Sequence, residues 1–510
     1  MTSLDGMVHM IIPRLFRVSP TPALLLGLFI AASVPQPVFS QEVQITVSSD
    51  AGDRLTPKPA VRFQAVAGGP KQAQAQTFEI RDAVRYQKMD GFGASFLEAG
   101  LICINDLPPA QQEEVLRALF DPKSGAGFSA MKTVIAATDF MSAGPFYTYN
   151  PTPDDVDMKD FSIARDLGPN GLITYIKRAR RYGNFVLQAP MDFPPDWMLL
   201  VYQDVDPIYY DALAKYYLHY VKDYESNGVF IDYVSLFNEP GLYTRIPYTE
   251  INTLLRDHVG PLFRKEHVRT QIMMSEAPTR ENAARNYPIV LDDPITRKFV
   301  SPVLPYHGYD LKNFDRIAAL HKKYPQYRLW MTELCHVSMP IYDFADGAFW
   351  GNQIFDDLEA STSAWIYWNM VLDEKGGPWL VAPSHGDPDP NNQHPVVIIN
   401  RQTKKVTYTG LYYYLAHFSK FVRPGAVRVQ TLGKAPGVRV MSFASPDDGI
   451  VTEVMNSNQS AVEIDLLFHG QSVHLSLPAL SITTATWQKR PEKQKVVRFT
   501  NNKDKQPAGL

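Results

Sequence analysis

The sequence predicts an α/β fold, a (β/α)8 TIM barrel, with an attached all-β sandwich domain. Three observations carry this. Eight short apolar runs alternate with helix-length segments between Gly91 and Met370, the rhythm of a parallel sheet with crossover helices. Acidic, amide and aromatic residues gather at the C-terminal ends of those runs, the end that carries function in such barrels. After about Arg423 the helical spacing gives way to short, regularly spaced strand patterns.

In chain order, residues 1–40 stand apart. Arg14 and Arg17 precede the apolar run Ala23–Val34, and Ser40 offers a small residue before Gln41. This is the pattern of a signal peptide, with an apolar run short for a membrane span. The expected location is secreted or periplasmic, with no stable membrane insertion after cleavage. Residues 41–80 read as extended segments that join the sandwich, because EVQITVSSD alternates and VRFQAV follows a turn. The barrel is expected over residues 81–422. Its eight strands are GFGASF, MKTVIAATD, FVLQA, VSLFNE, TQIMMSE, PVLPYHGY, YRLWMTEL and SAWIYWNM. Among the helices between them, Pro108 and Pro109 open one whose face is Val115, Leu116, Leu119 and Phe120. Tyr216, Tyr217, Tyr220 and Tyr224 mark the face of another. The sandwich strands fall at residues 423–490, a structural domain or a carbohydrate-binding module. A polar tail at residues 491–510 has the composition of disorder.

The bulk numbers narrow the function. The chain has 510 residues, 45% hydrophobic and 20% charged, with net charge −3. That is ordinary globular composition with no basic excess for nucleic acid. The two cysteines, Cys103 and Cys335, lack the spacing of a zinc or redox pair. No HExxH, phosphate loop or clustered His/Cys ligands occur, so no metal and no cofactor is expected.

The chemistry concentrates in two strand ends. VSLFNEP stops at Asn238, Glu239 and Pro240, and YRLWMTEL ends in Glu333. In one parallel barrel both carboxylates face the same mouth. Two such groups suit glycoside hydrolysis, one giving a proton to the leaving oxygen and the other meeting the anomeric carbon.

The ordered set GFGASF (91–96), ATDF (137–140), FNEP (237–240), YHGYD (306–310), TELC (332–335), YWNM (367–370), GGPW (376–379) and HFSKFVRPGAVRV (417–429) resembles glycoside hydrolase family 30, in particular its glucosylceramidase branch. The resemblance implies a retaining β-glycosidase with Glu239 as acid/base and Glu333 as nucleophile. It implies that Asn238 binds the sugar 2-hydroxyl, and that Asp139, His307, Tyr309 and Trp368 shape the glycone site. The implied partner is a carbohydrate or glycolipid. An endo-acting β-1,6-glucanase or xylanase of the same family, and a non-catalytic carbohydrate-binding protein, stay open. Two departures stand out. Met191 and Gly308 occupy positions where the branch has tryptophan, which points to looser sugar selectivity, with Asp192 offering a polar contact instead. A further sugar-contacting asparagine of the branch has Asn391 and Asn392 as nearby candidates. Glu276 also ends a strand but has no matching family role. Cys335 and His336 read as packing around Glu333.

Overall fold

The computed structural model describes residues 41–66, 76–142, 147–242, 244–336, 342–378 and 393–489. The expected signal peptide, the tail, Asn391, Asn392 and Trp379 lie outside these. Four strands come first: β1 (Glu42–Ser49), β2 (Thr56–Arg62), β3 (Gln64–Ala65) and β4 (Gln76–Lys88). The barrel follows as β5 (Gly91–Ser95), β6 (Ala130–Lys132), β7 (Val186–Pro190), β8 (Tyr233–Ser235), β9 (Gln271–Met273), β10 (Val303–His307), β11 (Arg328–Glu333) and β12 (Thr362–Asn369). A three-stranded sheet leaves β12: β13 (Val371–Asp373), β14 (Val397–Ile399) and β15 (Val406–Tyr408). The last six are β16 (Val427–Leu432), β17 (Val438–Ala444), β18 (Gly449–Asn456), β19 (Val462–Phe468), β20 (Gln471–Leu477) and β21 (Ser481–Gln488).

All eight barrel strands are parallel, in the order β10-β11-β12-β5-β6-β7-β8-β9. The ring closes between β9 and β10, where Ser301 N donates to Ile272 O (2.8 Å) and His307 N to Ala277 O (2.8 Å). The strands are buried on both faces, so they read as apolar runs rather than alternating ones. The pleat shows in β11: Leu329 and Met331 face the outer core, while Trp330 joins Ala130, Tyr233, Met273, Val303, Ala364 and Ile366 in a separate cluster. Trp330 Nε1 donates to Asp90 (2.7 Å), which also takes Arg328 (3.1 Å), so side chains plug the N-terminal end. Gly93 is required where β5 meets β6: a Cβ there would stand 2.1 Å from Ala130 O. Register shifts lie near the C-terminal ends of β10 and β12. The first sets His307 opposite Glu333, the kind of re-aiming a bulge provides.

The second domain is a sandwich built from a continuous ladder, β2-β1-β21-β18-β17-β16-β4-β19-β20-β3, curled round a core that includes Phe63, Phe78, Ile464, Leu466 and Trp487. The N-terminal strands do join it. The boundary expected at 80/81, however, falls inside β4, which pairs with β16 and β19 and ends at Lys88. Its outer half is polar and half-exposed, which hid it from an apolar pattern. Helices Glu98–Asn105, Arg280–Leu291 and Gly410–Phe421 were not anticipated. Pro288 inside the second disguised it.

His417, on the helix Gly410–Phe421, ties barrel to sandwich. Its Nδ1 meets Thr484 Oγ1 (2.6 Å) and its Nε2 meets Ser48 Oγ (3.0 Å), while Thr484 donates to the buried Glu453 (2.6 Å). Burial pushes Glu453 up to about 8 and His417 down to about 3, so both are neutral in the folded protein near pH 7. The unfolded histidine, half protonated at about pH 6.5, is largely neutral above about pH 7, and from there to about pH 8 only Glu453 of the two differs between states. The unfolded chain then releases a proton the folded chain keeps, which costs stability as pH rises, by at most about 1.4 kcal/mol per unit. We expect Glu453→Gln to remove that slope. Denaturant midpoints at about pH 7 and about pH 8 check it, and equal slopes for both proteins would contradict it.

Candidate active site

Leu236 and Phe237 extend β8 as fully buried residues. The chain then turns, with Asn238 N donating to Met191 O (2.7 Å) and Glu239 N to Glu276 O (2.9 Å). Glu239 has φ +43°, a left-handed conformation uncommon for a side chain of this kind and typical of functional positions. Pro240 stops any further ladder. Glu333 is the last residue of β11. Together with Asp139, Asn238, Tyr309 and Trp368, the two carboxylates line a pocket of about 260 Å³. One ligand atom each from Glu239, His307 and Glu333 lies within 4.8 Å of the others.

Two buried cations organise the carboxylates. Lys132 uses all three of its hydrogens, donating to Glu333 Oε2 (2.5 Å), Asn238 Oδ1 (3.1 Å) and Glu276 Oε2 (3.2 Å). His307 joins Glu239 Oε1 through Nδ1 (2.7 Å) and Glu276 Oε2 through Nε2 (3.0 Å). Glu276 also accepts from Thr332 (2.7 Å), and Tyr309 donates to Glu333 Oε1 (2.8 Å). Glu276 is therefore a hub: one of its oxygens holds the cation of each pocket glutamate. With Oδ1 taken by Lys132, Asn238 has its amide hydrogens to offer a sugar hydroxyl.

Burial pushes the Glu239 carboxyl up, aided by the Glu333 charge and opposed by His307. Burial disfavours the His307 cation, but the Glu333 charge and the contacts to Glu239 and Glu276 outweigh it and raise the imidazole to about 9. Lys132 is held protonated because Glu276 and Glu333 overcome its desolvation. Glu276, although buried, is held below the ordinary carboxylate range by Lys132 and His307. Asp192 is pushed well up by burial and by Asp139.

Asp139, Asn238, Glu239, Tyr309, Glu333 and Trp368 come together as the sequence led one to expect. His307 does not line the pocket. It is fully buried behind that lining, with Nδ1 on Glu239 and Nε2 on Glu276. Met191 is fully buried in the barrel core, and Asp192 is 1% exposed with neither carboxyl oxygen hydrogen-bonded among the described residues. At Gly308, a Cβ would meet Arg280 and Leu334 at 3.1 Å, so the Arg280 guanidinium fills space a ring would need. Cys335 lines the pocket with Sγ 3.6 Å from the Tyr309 hydroxyl, whereas His336 stacks on Phe349. Neither Lys132 nor Glu276 belongs to a recognisable motif in the sequence. A lysine inside an apolar strand was the available signal, because lysine is almost never fully buried without a partner.

Glu239, His307 and Glu333 are the described residues whose spacing could suit a cation. The imidazole is already cationic between two carboxylates, and its nitrogens are spent as donors.

A barrel whose mouth holds two adjacent carboxylates, each on its own buried cation, has the arrangement of a barrel glycosidase. Comparison with known proteins then places the chain. Residues 89–422 match the glycosyl hydrolase family 30 TIM-barrel domain, and residues 425–485 match the family 30 beta sandwich domain. The chain belongs to glycoside hydrolase family 30 and is a glycosidase. It is 25% identical over 475 residues to the endo-1,6-beta-D-glucanase of Neurospora crassa, covering 88% of this chain and 94% of that one. It is 23% identical over 450 residues to the lysosomal acid glucosylceramidase of Mus musculus, covering 80% and 82%. The solved structure of an endo-β1,6-glucanase superposes with a TM-score of 0.76 at 22% identity, over 88% of this chain and 99% of that one. Among the described residues, no helix is long and apolar enough to cross a membrane.

Proposed function

We propose that the enzyme is a retaining β-glycosidase acting on β-glucosidic bonds, with Glu333 as nucleophile and Glu239 as acid/base. The observation that carries this is the closeness of the two carboxylates. One oxygen of each lies within 4.8 Å of one oxygen of the other, the close pairing that direct attack by a carboxylate needs, whereas an inverting pair stands apart to admit a water between carboxylate and sugar. Lys132 and Tyr309 each donate to one oxygen of Glu333, an arrangement suited to an anionic nucleophile. Glu239 is raised by burial, which suits a group that must hold a proton before it gives one away. In the first step Glu333 bonds to the anomeric carbon while the leaving oxygen takes the Glu239 proton. In the second, Glu239 takes a proton from water, which displaces Glu333. Proton NMR of the first-formed sugar tests the proposal. The β-anomer is expected first, and an initial α-anomer would overturn it.

Two substrate readings follow from the relatives. A glucosylceramidase-like action is supported by Leu242, 59% exposed at the pocket rim and apolar. Endo-action on β-1,6-glucan is supported by the wider coverage of the Neurospora relative. Hydrolysis rates on an aryl β-glucoside, glucosylceramide and β-1,6-glucan separate them.

The hub predicts a distinctive variant. Glu276→Gln keeps the shape but removes the negative charge between Lys132 and His307. The first proton to leave the Glu239–His307 pair then leaves more easily. We expect the basic limb of the kcat/KM profile to move to lower pH by about one unit. A lower rate with an unmoved limb would mean that Glu276 only holds the fold.

A further inference from the structure

We propose that a cleft at the catalytic end of the barrel, walled by Tyr147 and Trp197, is a second sugar-binding subsite that takes a pyranose ring of a β-glucan oligosaccharide. This rests on the glycosidase reading above and names its substrate as a sugar chain rather than a single glycoside. The cleft has a volume of about 350 Å³ and is lined by Tyr147, Thr148, Pro194, Asp196 and Trp197, with two further prolines. The catalytic pocket measures about 260 Å³, so a ring that fits one fits the other. The segments that form the cleft follow β6 and β7. The same two segments carry Asp139 and Asp192, so the cleft opens on the catalytic end of the barrel.

The rings are built in rather than left over. Trp197 Nε1 donates to Asn150 O (2.9 Å), and the indole meets the Tyr209 ring edge-on at 5.1 Å. Tyr209 is anchored in turn by its hydroxyl on Asp154 (2.7 Å). Tyr147 lies 4.1 Å from the Arg165 guanidinium, which is clamped by both oxygens of Glu98 (2.7 and 2.8 Å). Both aromatic residues keep part of their surface open to the cleft. Fixed aromatic surface with a few polar groups is what a binding site of this size presents. The apolar C–H face of a pyranose packs on such rings, and its hydroxyls meet the Thr148 hydroxyl and the Asp196 carboxylate. A lipid-linked monosaccharide has no second ring to place there.

The test uses the full-length enzyme and compares kcat/KM on a β-1,6-linked glucotetraose with kcat/KM on an aryl β-glucoside. Trp197→Ala is expected to lower the ratio of the first to the second by about tenfold, the scale of one lost aromatic contact. Trp197→Phe, which keeps a ring against Tyr209, gives a smaller drop in that ratio and covers the case where alanine unsettles the loop. An unchanged ratio in both variants overturns the proposal, as does an equal loss on glucosylceramide, which would make the cleft a site for any leaving group. Calorimetric titration of the tetraose into Glu333→Gln, with and without Trp197→Phe, reads the subsite without turnover. Weaker binding with the phenylalanine supports the subsite, and equal binding refutes it. Absence of turnover on every β-glucoside would instead refute the glycosidase reading, leaving the titration to judge the cleft.

Discussion

Glu333→Ala reduces kcat/KM by roughly four to six orders of magnitude on every glycoside, as removal of a covalent catalyst does elsewhere. The loss does not depend on the leaving group, because the variant cannot form the first bond whatever departs. The fold survives, since Lys132 keeps Glu276 (3.2 Å) and Asn238 (3.1 Å) as partners when Glu333 is gone. Circular dichroism and the thermal midpoint therefore stay close to wild type. Azide, small enough to enter the vacated space, attacks the anomeric carbon directly and yields the α-glycosyl azide. A variant that kept within tenfold of the wild-type rate would remove Glu333 from the chemistry.

Glu239→Ala behaves differently, and the difference identifies its role. A dinitrophenolate leaves without a proton, so glycosylation by its glycoside stays fast, while an alkyl or sugar leaving oxygen is slowed by about 10²–10⁴-fold. Deglycosylation is slow for every substrate because no base activates water. The covalent intermediate accumulates, giving a burst and a low apparent KM. Azide then speeds turnover and returns the β-glycosyl azide, the opposite anomer from the Glu333 variant. His307 keeps its contact to Glu276 (3.0 Å) but loses the one to Glu239. Equal slowing on dinitrophenyl and alkyl glucosides would show that Glu239 gives no proton.

The barrel was legible because its strands are continuous apolar runs ended by polar groups, and the eight that the spacing suggested are the eight that form the ring. The sandwich strands were legible for the same reason. MKTVIAATD was overextended at its end: its pairing with β7 carries on past Lys132 to a bridge between Ile135 and Met191, and Ala136 then turns with φ +63°, which an apolar run conceals. The pocket glutamates were visible because each ends a strand next to turn chemistry. Lys132 and Glu276 were not legible because their importance lies in contacts 201 and 31 residues away along the chain, to Glu333 and His307 respectively. No local pattern shows that one carboxylate oxygen will hold two cations. The cleft at Trp197 was invisible for a related reason, since its two walls come from segments on either side of β7.

The most direct test of the central assignment is covalent capture of the intermediate. Incubation with a 2-deoxy-2-fluoro β-glucosyl dinitrophenolate, which reacts through the first step and stalls before the second, should inactivate the enzyme with release of one dinitrophenolate per chain. Digestion and tandem mass spectrometry should place the fluoroglucosyl group on Glu333, and only there. An adduct on Glu239, or full turnover with no adduct on any carboxylate, would contradict the account.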